Sequence, residues 1–162
     1  MKSFLQRRVL RPIQRLLLQG ITPQKIALTL ALGVVLGLFP VMGSTSLLCA
    51  AAAIALRLNL PAIQAVNYFM YPLQLLLIVP FIRAGEFLFR AQRTTLTLKQ
   101  MIALLHEGFL PAMHTLGILA LQGIAAWLLI APVAIALLYA AFLAITRRAA
   151  SMAAARQTAV RT

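Results

Sequence analysis

The sequence predicts an all-α fold: a small polytopic membrane protein with three to four transmembrane helices and a broken or re-entrant first helical pair. Three observations carry that expectation. Hydrophobic residues make up 62% of the 162 residues and mean hydropathy is +0.94, well beyond the apolar share of roughly half found in soluble domains. Fifteen Lys and Arg against Glu86 and Glu107 give a formal charge of +13, and these cations punctuate the apolar runs rather than interrupting them. The run from Ile26 to Leu56 holds no charged side chain over 31 residues, yet Pro40-Val41-Met42-Gly43 divides it. A strongly basic balance also suits nucleic-acid binding, but position decides against that class: the cations flank spans, as the positive-inside rule expects.

Residues 1–22 read as a basic amphipathic interfacial segment. Phe4, Leu5, Val9, Leu10, Ile13, Leu16 and Leu17 recur near helical spacing among Lys2, Arg7, Arg8, Arg11 and Arg15, a pattern held by acyl chains on one face and anionic headgroups on the other. Pro12 kinks or divides it. The cations continue to Arg15 with no compact apolar stretch and small-residue cleavage site, so it is not read as a cleavable signal.

Residues 23–146 form the expected membrane domain, with helical runs 23–56, 61–82 and 109–146. Thr22 suits the N-cap and Pro23 the first helical position. Ile26 to Pro40 would make a helix of about 22 Å and Ser46 to Leu56 one of about 16 Å, both short of a hydrocarbon core of about 30 Å. Non-helical backbone at that depth must be buried by protein or line a wet cavity, so the break at Pro40 and Gly43 is the first candidate for a working site. The hydroxyls of Ser44, Thr45 and Ser46 are expected to cap the second half-helix, leaving its positive dipole end at membrane depth. Gly33 and Gly37 make a G-x-x-x-G pair that permits close backbone approach. Cys49, the only cysteine, forms no intramolecular disulfide and reads as a small buried hydrophobe.

Arg57-Leu58-Asn59-Leu60-Pro61 is a turn. The run that follows to Ile82 is about 31 Å as helix, with Pro72 and Pro80 as kinks. Gln64, Asn67, Tyr71 and Gln74 fall at i, i+3, i+7 and i+10 on one face. Such a stripe must face protein or water; it serves interhelical hydrogen bonding or a substrate path. Residues 83–108 are expected to be a cytoplasmic interfacial stretch. His106, Glu107 and His114 lack H-E-x-x-H spacing, so no metal and no cofactor is expected. The stretch from Phe109 to Thr146 is about 57 Å as helix, too long for one upright crossing. Pro132 either marks a tight hairpin or leaves only the later part to cross. Residues 147–162 are a basic tail.

Charge counting ranks the topologies. With one net crossing over Ile26 to Leu56, a return over Ala62 to Ile82, and an out-and-back excursion over Phe109 to Thr146, fourteen cations lie inside and only Arg57 outside. If the first run is instead a full hairpin, Arg83, Arg90, Arg93 and Lys99 fall outside. The first arrangement fits the positive-inside rule better, with the N-terminus cytoplasmic.

The ordered combination of Gly20-Ile21-Thr22-Pro23, Ala27, Ala31, Gly33, Gly37, Pro40, Gly43, Thr45, Arg57-x-Asn59-x-Pro61, Pro72 and Pro80 resembles the bacterial integral membrane proteins grouped as domain of unknown function 2062. The resemblance covers a little under half the chain. Where that family usually has Asn-Pro followed by Thr, this chain reads Tyr71-Pro72-Leu73-Gln74. The resemblance implies a small protein of the bacterial inner membrane and supplies no activity. Some relatives resembling it are joined to glycosyltransferase domains, which implies lipid-linked sugars or polyprenyl phosphates.

Two functions follow as expectations. The first is a carrier or flippase for an anionic lipid-linked substrate such as a polyprenyl phosphate. Its substrate-binding set is Ser44, Thr45, Ser46, Arg57, Asn59, Asn67, Tyr71 and Gln74, with Gly33, Gly37, Pro40, Gly43 and Pro72 shaping the break and its packing. The alternative is a non-catalytic membrane adaptor or assembly factor whose glycine- and alanine-rich faces pack on partners. Neither paired carboxylates nor a Ser-His-Asp set appears in the spans, so no enzyme is expected. The expected partners are the bilayer with its anionic headgroups, and a second copy or another membrane protein.

Overall fold

The computed structural model describes residues 22–91 and 109–161, and their side chains over 22–91 and 114–152. These residues form four helices: α1 Pro23–Gly37, α2 Thr45–Ala55, α3 Leu60–Leu88 and α4 Phe109–Arg161. The expected amphipathic segment at 1–22 lies outside the described residues except for Thr22. That residue caps α1 as its position predicts, its hydroxyl accepting from the Lys25 amide at 3.4 Å with Pro23 entering the first turn.

The run Ile26 to Leu56 folds back on itself. Lys25 Nζ, near the start of α1, donates to the carbonyl of Arg57, just past the end of α2, at 3.3 Å. Leu28 and Leu58 pack on one cluster of Leu32, Cys49, Ala53 and Ile63. The two helices therefore form an antiparallel hairpin, closed at residues 38–44 and open at Lys25 and Arg57. This corrects the topology in which Ile26 to Leu56 makes one net crossing. The physical reason is the turn: Gly43 at φ +85° reverses the chain between two short helices.

Helix α3 runs parallel to α1. Gly33 meets Ile63 and Val66, Gly37 meets Asn67 and Met70, and Phe39 meets Gln74. A Cβ at Gly33 would lie 2.8 Å from the Val66 Cβ and 3.2 Å from the Ile63 carbonyl oxygen. The G-x-x-x-G pair thus brings α1 against α3 within the chain. Pro72 and Pro80 sit on the exposed side of α3, which continues through both and extends to Leu88. Arg83 and Arg90 consequently lie at the opposite end of α3 from Lys25 and Arg57. The expectation that the stretch 83–108 begins on the N-terminal side is corrected accordingly; residues 92–108 lie outside the described residues.

Helix α4 returns antiparallel to both. Gln122 meets Gly85, Gly123 meets Ile82, Trp127 and Ala131 meet Val35, and Thr146 Oγ1 donates to the Pro23 carbonyl at 3.2 Å. It passes Pro132 without a break, so neither a hairpin there nor an out-and-back excursion occurs. Proline removes one amide donor and crowds one carbonyl, whereas the turns on either side of Pro132 pack along α1 and hold the axis. The ring itself faces outward.

Two helices, Leu60–Leu88 and His114–Met152, are long and apolar enough to cross a membrane. Only 11% and 6% of their most apolar windows are buried, unlike the core helix of a soluble domain. Phe87 is 87% exposed, Phe69 78% and Leu76 72%, a broad exposed apolar surface.

Candidate functional site

The hairpin tip, Leu38 to Ser44, stands level with Gln74, whose Nε2 donates to the Phe39 carbonyl at 2.8 Å. Gln74 is 14 residues from each end of the 29-residue α3, about 21 Å either way at 1.5 Å per residue. The tip therefore sits at the mid-height of α3.

Its inner side is anchored. Phe39 meets Trp127 edge-on with ring centroids 5.0 Å apart. Trp127 Nε1 donates to the Val35 carbonyl at 3.2 Å. Pro40 is buried and packs within 3.6 Å of where a Cβ of Gly123 would stand. The outer side is open: Met42 is 54% exposed and nothing lies within 4 Å of a Cβ placed on Gly43. The amide of Leu48 bonds back to the Ser44 carbonyl at 3.0 Å, and the amides of the α2 first turn before it form the helix's free N-terminal end.

The expected caps differ from the geometry found. Ser44 is the N-cap residue, but its backbone is already helical and its hydroxyl donates to the Val41 carbonyl at 2.9 Å instead of accepting from an α2 amide. Thr45 is buried at 5% exposure. Ser46 turns toward α3: its Oγ accepts from Asn67 Nδ2 at 3.2 Å and its carbonyl from Gln64 Nε2 at 2.8 Å. Asn67 Nδ2 also reaches Gln64 Oε1 at 3.2 Å. Of the polar stripe on α3, Gln64, Asn67 and Gln74 are thus interhelical ties to the hairpin, which is one of the two roles the stripe admits. Tyr71 is 45% exposed beside them. Pro72 lies on the outer face, away from the tip contacts.

Arg57 and Asn59 do not join this site. The 11-residue α2 separates Arg57 from Ser44 by about 16 Å, so the expected pairing of Arg57 with the α2 N-terminus is corrected. Asn59 is the N-cap of α3, its Oδ1 accepting from the Ala62 amide at 2.8 Å. Arg57 ends α2 in the left-handed region at φ +51°, with Leu58 N bonded to the Ala53 carbonyl at 2.8 Å and Arg57 N to Ile54 at 3.3 Å. That is the double bond of a Schellman ending, where glycine is the usual occupant. Arg57→Gly is therefore expected to stabilise the protein by about 0.5 to 1 kcal/mol in a denaturation midpoint. A lower midpoint would show that the arginine side chain contributes more than its backbone strain costs.

Sequence reasoning missed Phe39 and Gly85, and it read Gly117, Gly123 and the alanines around Trp127 as small packing faces without assigning the indole itself a partner. The signal available was that the chain's one tryptophan lies among small residues, Ala125 and Ala126, which make room for a ring at a helix contact. Gly85 gave none, because it fell in a stretch taken to be interfacial. His106 and Glu107 lie outside the described residues.

A family model described as "Uncharacterized protein conserved in bacteria (DUF2062)" matches residues 6–155. No curated protein and no solved structure matches the chain.

Proposed function

The chain belongs to this uncharacterised bacterial family, DUF2062, and from that premise we propose that it is an inner-membrane carrier or flippase for an anionic lipid-linked substrate such as a polyprenyl phosphate. In this reading α3 and α4 span the bilayer and the α1–α2 hairpin re-enters from the N-terminal side. The observation that carries it is the open tip at mid-height, where Met42 and Gly43 are uncovered and the N-terminal end of α2 begins. Irregular backbone cannot face lipid at that depth, since each unsatisfied group costs several kcal/mol. Water or an anionic headgroup in transit supplies the acceptors.

The substrate set narrows accordingly to the open tip with Ser44, flanked by Tyr71, because Thr45 is buried and Ser46 is held by Gln64 and Asn67. The two spans and the hairpin among the described residues enclose no path of their own, so the path runs between copies or beside a partner. The positive-inside rule puts the hairpin base in the cytoplasm, because eleven of the fifteen cations precede α1, follow Thr146 or belong to that base. Of the small residues that the adaptor reading offers to partners, Gly33 and Gly37 already pack on α3 within the chain.

The test is thiol accessibility in a Cys49→Ala background. Met42→Cys and Ser44→Cys are expected to react with a membrane-impermeant maleimide, and a polyprenyl phosphate to protect them. Leu76→Cys, facing lipid, stays silent. Silence at both tip positions in vesicles of either orientation overturns the carrier reading.

A further inference from the structure

We propose that the base of the hairpin is a binding surface for the phosphate headgroups of anionic phospholipids, built by Lys25, Arg57, Arg147 and Arg148. It rests on the membrane reading above and names what that reading's cytoplasmic end holds. Three elements converge there. Lys25 is tied by its ammonium to the Arg57 carbonyl at 3.3 Å, and Thr146, one residue before Arg147, is tied to Pro23, two before Lys25. All four cations are exposed.

Among the described residues no carboxylate accompanies them. Glu86 is the only acidic residue among the described residues, and it lies at the far end of α3, held by Arg83 at 2.8 Å. Like charges gathered at one end repel unless an outside anion offsets them. Each cation near a charged leaflet gains such an offset.

The surroundings identify that anion as part of a lipid. Ile54, Leu56, Leu60 and Ile145 are 42 to 74% exposed within a few residues of the cations. A ring of charge beside bare aliphatic surface matches a phosphate with acyl chains attached. Free phosphate would leave that aliphatic surface uncovered.

The test titrates the full chain in neutral detergent with phosphatidylglycerol and reads the thermal midpoint. Phosphatidylglycerol is expected to raise it, and phosphatidylcholine or glycerol phosphate at equal concentration is not. The variant Lys25→Gln/Arg57→Gln/Arg147→Gln/Arg148→Gln is expected to need on the order of 100-fold more phosphatidylglycerol for half the effect. Arg90→Gln, at the opposite end, titrates like the parent. Added salt weakens the effect in the parent protein itself.

A quadruple variant that titrates like the parent, a salt-independent effect, or an equal response to glycerol phosphate overturns the proposal. Carbonate washing of cell membranes separates it from the membrane reading. Release of the parent protein overturns that reading, whereas a variant that stays in the pellet and still binds phosphatidylglycerol normally overturns the lipid surface alone.

Discussion

Gly85→Val is expected to abolish accumulation of folded protein in membranes. A Cβ at Gly85 would land on the backbone carbonyl of Gln122, with the Gln122 Cβ beside it. Neither is the end of a flexible side chain that swings aside, so α3 and α4 must separate. Overpacking at a well-packed site costs about 1 to 3 kcal/mol. With backbone as the obstacle, about 3 kcal/mol or more is expected in a denaturation curve of any protein recovered. Gly117→Ala is the control, because nothing lies within 4 Å of that position. It is expected to stabilise by roughly 0.5 to 1 kcal/mol through helix propensity. A Gly85→Val protein with parental abundance and midpoint would mean that the two helices do not meet there.

Trp127→Ala should be the second most damaging change. The ring is 8% exposed, meets Phe39 edge-on at 5.0 Å, packs with Val35 and Ala131, and donates to the Val35 carbonyl at 3.2 Å. Lipid is as apolar as the core, so transfer alone contributes little. The loss comes from the cavity and from dispersion contacts, about 2 to 4 kcal/mol. Trp127→Phe keeps most of the volume and loses the donor, so an intermediate midpoint is expected, lower by about 1 kcal/mol. Thiol labelling in the tryptophan variants separates a local from a global effect. Faster reaction at Met42→Cys with unchanged silence at Leu76→Cys would show the tip released from α4. Equal midpoints for all three proteins would remove Trp127 from the packing account.

Legibility followed the range of the interactions. The helix starts were readable because caps are local: Thr22 before Pro23, and Asn59 before Leu60-Pro61. So was the break, since Pro40 and Gly43 act through their own backbones. The G-x-x-x-G pair announced a close approach but not its partner, which lies thirty residues on in α3. The polar stripe was placed on one face correctly, while its use had to wait for the hairpin that Gln64, Asn67 and Gln74 bind.

Sidedness was the part that composition could not order. Arg57 was counted as the lone cation opposite all others, because a charge tally treats a short apolar pair and a full crossing alike. A lysine ammonium on a distant carbonyl closed the hairpin and moved Arg57 to the other end. Pro132 misled for a related reason. A proline in a lone helix is a strong breaker, but contacts with α1 on both sides of it outweigh one lost hydrogen bond.

The chain contains a single tryptophan, and it stands where the hairpin tip meets α4. Its indole is shielded from solvent and hydrogen-bonded only while the hairpin is seated. The protein therefore carries a native optical probe of that docking. Its emission colour and its accessibility to a soluble quencher report whether the tip is seated against α4, with no label attached.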